Sequence, residues 1–161
     1  MKKKILCIIP ARSGSKGIKN KNMVKLKGRP LIYWTIKIAK KVEYFDKIVV
    51  STNSKKIKNF SEKNGALVPF LRPEKISKDK TPMDEVIKNM VDYFKRTNYY
   101  PYAVALLQPT SPYRKLSTVK KACKVFLQKK LDSLTTIEEI KHNHNPEYLF
   151  KNKQEFKKKN S

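Results

Sequence analysis

The chain has 161 residues, 39% of them hydrophobic, which is enough for one domain with a real core. Its formal charge of +25 rests almost wholly on lysine spread over nearly every segment, and only Arg12, Arg29, Arg72, Arg96 and Arg114 are arginines, so the composition argues against a nucleic-acid stripe, which would draw on arginine. No apolar run approaches the roughly 18 to 20 residues of a membrane helix, and Ile5 to Ile9 is too short for a signal-peptide core, so the expectation is a cytoplasmic protein without a membrane partner.

In chain order, Lys4 to Ile9 reads as a short buried strand of the kind found in parallel sheets covered on both faces. Residues 10 to 22 form a polar loop, and Gly28-Arg29-Pro30 punctuates the chain before a helix over Leu31 to Val42, whose apolar residues fall close to the helical repeat. Lys47 to Ser51 is a second, β-branched strand, and Thr52-Asn53-Ser54 offers caps for a helix from about Lys55 to Asn64, which Gly65 closes. Ala66 to Phe70 reads as a third strand and Leu71 to Lys80 as a surface loop, because it has no apolar periodicity.

Thr81-Pro82-Met83-Asp84 has the form of an N-cap, a first-turn proline and an acid, opening a helix that runs to about Arg96. Tyr102 to Leu107 is a fourth strand, and Ser117 or Thr118 is placed to cap a helix carrying Val119, Ala122, Cys123, Phe126 and Leu127 on one face. Ser133 to Ile140 is the expected fifth strand, and residues 147 to 161 read as a basic tail. Strands alternating with helices imply an α/β domain with a mainly parallel sheet, whose ligands bind at the carboxyl ends of the strands. Cys7 and Cys123 lie at apolar positions and read as buried thiols, and His142 and His144 have no further ligand at metal spacing.

Two loops then sit at strand ends, and the first carries the chemistry. Small residues at Ser13, Gly14, Ser15 and Gly17 let backbone N–H groups approach phosphate oxygens closely, while Arg12, Lys16 and Lys21 bring charge to a cluster of negative oxygens. The spacing is neither that of the P-loop nor G-x-G-x-x-G. The second loop, Gln108-Pro109-Thr110-Ser111-Pro112-Tyr113-Arg114, fixes an amide and two hydroxyls between prolines; on its own it also reads as an ordinary rigid turn.

Pro10-Ala11-Arg12-Ser13-Gly14-Ser15-Lys16-Gly17 with Lys21-Asn22, followed in order by Ser51-Thr52-Asn53, Leu71-Arg72-Pro73 with Asp79 and Thr81, Gln108 to Pro112 with Arg114, and His144-Asn145-Pro146, resembles the acylneuraminate cytidylyltransferases. Enzymes that activate pseudaminic, legionaminic or eight-carbon ulosonic acids look similar. The resemblance implies a single Rossmann-like nucleotidyltransferase domain over residues 1–146, incomplete at its C-terminal side. It implies transfer of CMP from CTP to a nonulosonic acid, by attack of the anomeric hydroxyl on the α-phosphorus with release of pyrophosphate.

On the same resemblance Arg12 and Lys21 act on the phosphates as catalytic cations, and Ala11, Ser13, Gly14, Ser15, Lys16, Gly17 and Asn22 complete the CTP loop. Arg72, Asp79 and Thr81 border the cytidine, and Gln108, Thr110 and Ser111 line the sugar side. Magnesium is the implied cofactor, but the family's terminal acidic pair is not reproduced by Asp132, Glu138 or Glu139, so its ligands are unassigned. The region that makes the family's homodimer is also not found, which leaves the oligomeric state open. Two other functions stay open on the residues: a CTP-binding homologue without turnover, and a basic nucleic-acid-binding protein.

Overall fold

Alternate residues of the first strand face opposite ways, and that alternation organises the molecule. In a computed structural model, which describes residues 3–14, 17, 18 and 20–137, β1 (Ile5–Pro10) is buried from Ile5 to Ile9. Ile5, Cys7 and Ile9 join one apolar cluster, while Leu6 and Ile8 join another on the opposite face. The first cluster is completed by Ile32, Ile36 and Ala39 of α1 (Leu31–Ala39), Ile57 of α2 (Lys55–Lys63), and Val119 and Cys123 of α4 (Leu116–Lys129). The second is completed by Met90 and Phe94 of α3 (Met83–Arg96) and by Tyr99. Helices thus cover both faces, and this is why β1 is apolar without interruption.

β1 is the central strand of a parallel sheet, with β4 (Phe45–Ser51) on one side and β5 (Ala103–Leu106) on the other. The register sets Pro10 beside Ser51 and Ile8 beside Leu106, so the carboxyl ends of all three strands come out at one edge. β5 pairs only with β1, so among the described residues its other edge has no strand. The parallel α/β architecture expected from the sequence is therefore the one observed.

Several local expectations are corrected. Ala66 to Phe70 is not a full strand: Leu67 alone bridges Val49, its N–H donating to Ile48 O (2.8 Å) and its carbonyl accepting from Val50 N (2.8 Å), before Pro69 interrupts the donor series. The first helix stops at Ala39 rather than Val42, although Val42 is buried in the same cluster. Pro82 rather than Thr81 is the residue flanking α3, and Lys115 rather than Ser117 or Thr118 flanks α4; neither end carries a side-chain cap. Residues 133–137 form no strand, and the rest of that expected element, the His142/His144 pair and the 147–161 tail lie outside the described residues.

The stretch 71–80 is less exposed than its lack of periodicity implies, because Arg72, Ile76 and Ser77 are buried around a short 3-10 turn, Glu74–Ile76. One small element was not anticipated. β2 (Lys25–Leu26) and β3 (Arg29–Pro30) pair antiparallel through Lys27 and Gly28, both at positive φ (48° and 76°). Two left-handed residues give the tight turn whose twist suits a hairpin, and Trp34 Nε1 donates to Leu26 O (3.0 Å) to pin it on α1.

Candidate nucleotide site

Three backbone segments are tied together where β1 and β4 end. The Ser51 carbonyl accepts from Ala11 N (2.9 Å) and from Arg72 Nη2 (2.7 Å), and Arg72 N donates to Thr52 O (2.7 Å). Arg72 is only 5% exposed. Burial lowers its pKa to about 10, and the nearby positive charge of Arg12 lowers it further within that figure. Its Nε has no acceptor. A desolvated guanidinium with an unused donor, held behind a second guanidinium, is a strongly anion-seeking arrangement.

The loop after β1 is braced from two directions. Asn53, in the turn between β4 and α2, accepts through Oδ1 from Ser13 N (2.9 Å) and Ser13 Oγ (3.1 Å). Asn22, buried in the one-turn helix Lys21–Met23, donates through Nδ2 to Arg12 O (3.0 Å), which folds the loop back on its own start. Gly14 has φ of 76° with open space where a side chain would stand, and Gly17 has no atom within 4 Å of that place either. The backbone there is uncovered.

Arg12 spans the mouth of the site. Its Nη1 donates to Gly14 O (2.8 Å), and its Nη2 pairs with Asp79 Oδ1 from the loop before α3. Of the residues singled out in the sequence, the structure therefore brings together Ala11, Arg12, Ser13, Gly14, Asn22, Arg72 and Asp79. Lys21 is half-buried beside Asn22, and the half-buried Thr81 follows Asp79 with its N–H on Lys78 O (3.2 Å). Gly17 is exposed, and Ser15 and Lys16 lie outside the described residues.

Gln108, Thr110 and Ser111 are exposed on the loop after β5, one strand over, where Leu107 N donates to Ile8 O (3.0 Å). That loop is closed by Arg114 Nη2 on Gln108 O (3.0 Å). Asn53 is the residue that the motif reading undervalued: it looks like a helix cap, but Ser54 takes the cap role, its Oγ accepting from Ile57 N (3.4 Å). The signal was the short polar run directly after a strand. A separate cavity of about 610 Å³ lies between β5, α4 and residues 132–136; no residue of the 10–22 loop lines it.

Among the described residues no three His, Cys, Asp or Glu side chains converge as a metal cage. A magnesium ion here would have no cage of protein ligands among the described residues. No helix among them is long and apolar enough to cross a membrane.

A parallel sheet with an uncovered glycine-bearing loop and two arginines at its carboxyl edge defines an α/β domain with an anion-seeking strand end. The sequence model of the cytidylyltransferase family matches residues 6–160, and the chain belongs to that family. It is 42% identical over 126 residues to an N-acylneuraminate cytidylyltransferase of Escherichia coli, covering 78% of this chain and 29% of that protein. Against the CMP-N,N'-diacetyllegionaminic acid synthase of Legionella pneumophila it is 39% identical, covering 76% of this chain and 53% of the relative. Against a pseudaminic acid cytidylyltransferase of Campylobacter jejuni it is 35% identical, covering 78% and 54%. The chain thus spans about half, or less, of the length of these curated relatives.

The fold agrees. The structure of a CMP:2-keto-3-deoxy-manno-octonic acid synthetase complexed with CTP superimposes with a TM-score of 0.65 at 18% identity, over 79% of this chain and 48% of that one.

Proposed function

We propose that the protein transfers CMP from CTP to a nonulosonic acid with release of pyrophosphate. The observation that carries the reading is the pair of guanidiniums at the end of β1, Arg12 at the mouth and the desolvated Arg72 behind it, on a loop whose backbone is open to a polyphosphate. The relatives named for acylneuraminic, legionaminic and pseudaminic acids support the substrate class.

Nucleotidyl transfer asks a protein mainly to align the nucleophile and to neutralise charge on the leaving group. Arg12 and Lys21 hold the β- and γ-phosphates, and the N–H groups around Ser13, Gly14 and Gly17 complete the cradle with Ser15 and Lys16. Arg72 and Thr81, with Asp79 between them in sequence, border the cytidine. Gln108, Thr110 and Ser111, one strand away, orient the sugar acid so that its anomeric hydroxyl faces the α-phosphorus. The bond from that phosphorus to the bridging oxygen breaks, and the departing charge collects where the cations stand.

Pyrophosphate release from CTP is the test, run with magnesium and with N-acetylneuraminic, pseudaminic and legionaminic acids in turn, on the protein and on Arg12→Ala. Release that requires one acid and falls about tenfold or more in the variant is expected. CTP-dependent thermal stabilisation without release would make the chain a nucleotide-binding homologue, and oligonucleotide retention that collapses with salt and ignores CTP would make it a nucleic-acid binder.

A further inference from the structure

Arg12, the phosphate-seeking cation, carries a carboxylate. Asp79 reaches it from 67 residues away in sequence, closing the loop before α3 onto the loop after β1. Neither partner is buried: their side chains are 28% and 30% exposed, so solvent and ligands reach the pair. Arg12 Nη1 donates to Gly14 O and Nη2 pairs with Asp79, so an anion that takes the Nη2 side displaces Asp79. Arg72 lies behind, buried, with an Nε that has found no acceptor.

We propose that Asp79 is a specificity-determining residue of this site: its carboxylate holds Arg12 against single-charged anions and yields it only to a polyphosphate. The inference rests on the reading of Arg12 as a phosphate ligand. The chemistry of the reaction gives such a guard a purpose, because the acceptor sugar is itself a carboxylic acid. A bare Arg12 would take that carboxylate in a two-pronged hydrogen bond as readily as it takes a phosphate. With Asp79 in place, one carboxylate replacing another gains nothing.

A polyphosphate changes the balance. It brings several charges and several acceptor oxygens, enough to engage Arg12 and the open backbone at once. An exposed ion pair is weak, so its displacement costs a multivalent ligand little. The result is that the Asp79–Arg12 contact opens when the polyphosphate arrives, while Thr81 stays beside the nucleotide.

The experiment compares the protein with Asp79→Asn, which keeps the shape and removes the charge, using calorimetric titration with CTP and with inorganic pyrophosphate. The variant is expected to bind both about three- to fivefold more tightly at low salt, the scale of one exposed ion pair, with the gain fading as salt rises. Acetate, a bare carboxylate, is expected to compete with pyrophosphate about three- to fivefold more strongly in the variant than in the unaltered protein. Weaker binding in Asp79→Asn, or identical acetate behaviour in the two, would overturn the proposal and make Asp79 a brace that positions Arg12.

Hydrogen exchange on the unaltered protein needs no variant: the amides of residues 77–79 are expected to exchange faster with pyrophosphate bound, and slower exchange would again contradict release. The outcomes separate from those of the proposed function. Tighter pyrophosphate binding without cytidine preference or turnover would keep the guard and remove the cytidylyl reading. Turnover without the change in binding would do the reverse.

Discussion

Replacing Arg72 by methionine separates what the cation does for the fold from what it does for the ligand. The side chain is 5% exposed and makes one hydrogen bond from Nη2 to Ser51 O (2.7 Å), while its Nε is unsatisfied. Arg72→Met loses that charge-assisted bond, about 1.5–3 kcal/mol. It also removes a desolvated cation whose burial cost is of similar size, several kcal/mol. Ser51 O is not orphaned, since Ala11 N still donates to it (2.9 Å). The two contributions nearly cancel, so the melting temperature should stay within about 4 °C of the unaltered protein.

Arg72→Ala adds an empty space beside the same atoms and should cost about 2 kcal/mol more than the methionine variant. Affinity for CTP should drop in both, by about tenfold or more, as expected for loss of a charged partner in a desolvated site. Denaturant titration gives the stability and calorimetry the affinity. A methionine variant destabilised by more than about 3 kcal/mol would refute the reasoning, because it would mean that the guanidinium holds the strand ends together despite its burial. The depressed pKa, about 10 in the fold, adds a sign. Folding disfavours the charged form below about pH 10, and that handicap is relieved as pH rises above it, so the stability gap between Arg72→Met and the unaltered protein should move in the latter's favour there.

Asn53→Ala removes the acceptor for both Ser13 N and Ser13 Oγ and should cost about 1–2 kcal/mol in denaturant titration, with CTP affinity falling beyond what stability explains. Burial raises the pKa of Cys7 well above its ordinary value, with Cys123 nearby reinforcing the shift. Its thiol should therefore resist alkylation at pH 8 in native buffer and react promptly in denaturant, and rapid native labelling at Cys7, read by mass spectrometry, would show the β1 core to be open. Gly28→Ala places a side chain at φ 76° with open space around it, so the cost should be backbone strain alone, about 1 kcal/mol by thermal melting, with the hairpin retained.

Much of the architecture was legible because its signals are local and redundant. Five consecutive buried residues in β1 and the helical spacing on α3 each point to one structure only. The weaker elements depended on neighbours: residues 66–70 have strand-forming side chains, but Pro69 and a single bridge to Val49 decide how much of them pairs. Helix ends were misplaced by a residue or two where a hydroxyl stood near the boundary, since Thr81, Ser117 and Thr118 fit the capping pattern while the chain turns elsewhere. In the site, residue identities came from motif spacing, but three facts did not. The burial of Arg72, the Asp79–Arg12 pair and the clamp from Asn53 are contacts across 21, 67 and 40 positions, which no local pattern encodes.

The outer rim of the sheet has a consequence for how the chain behaves in concentrated solution. β5 reads Ala-Val-Ala-Leu, and its backbone groups on the side away from β1 meet no other strand among the described residues. Natural sheets blunt such rims with lysine or proline, and in this lysine-rich chain the rim carries neither. Any two copies also repel at long range through the charge of +25. Salt shortens that repulsion to about 8–10 Å at ordinary ionic strength. The colloid is therefore most stable in dilute buffer and grows stickier as salt is added.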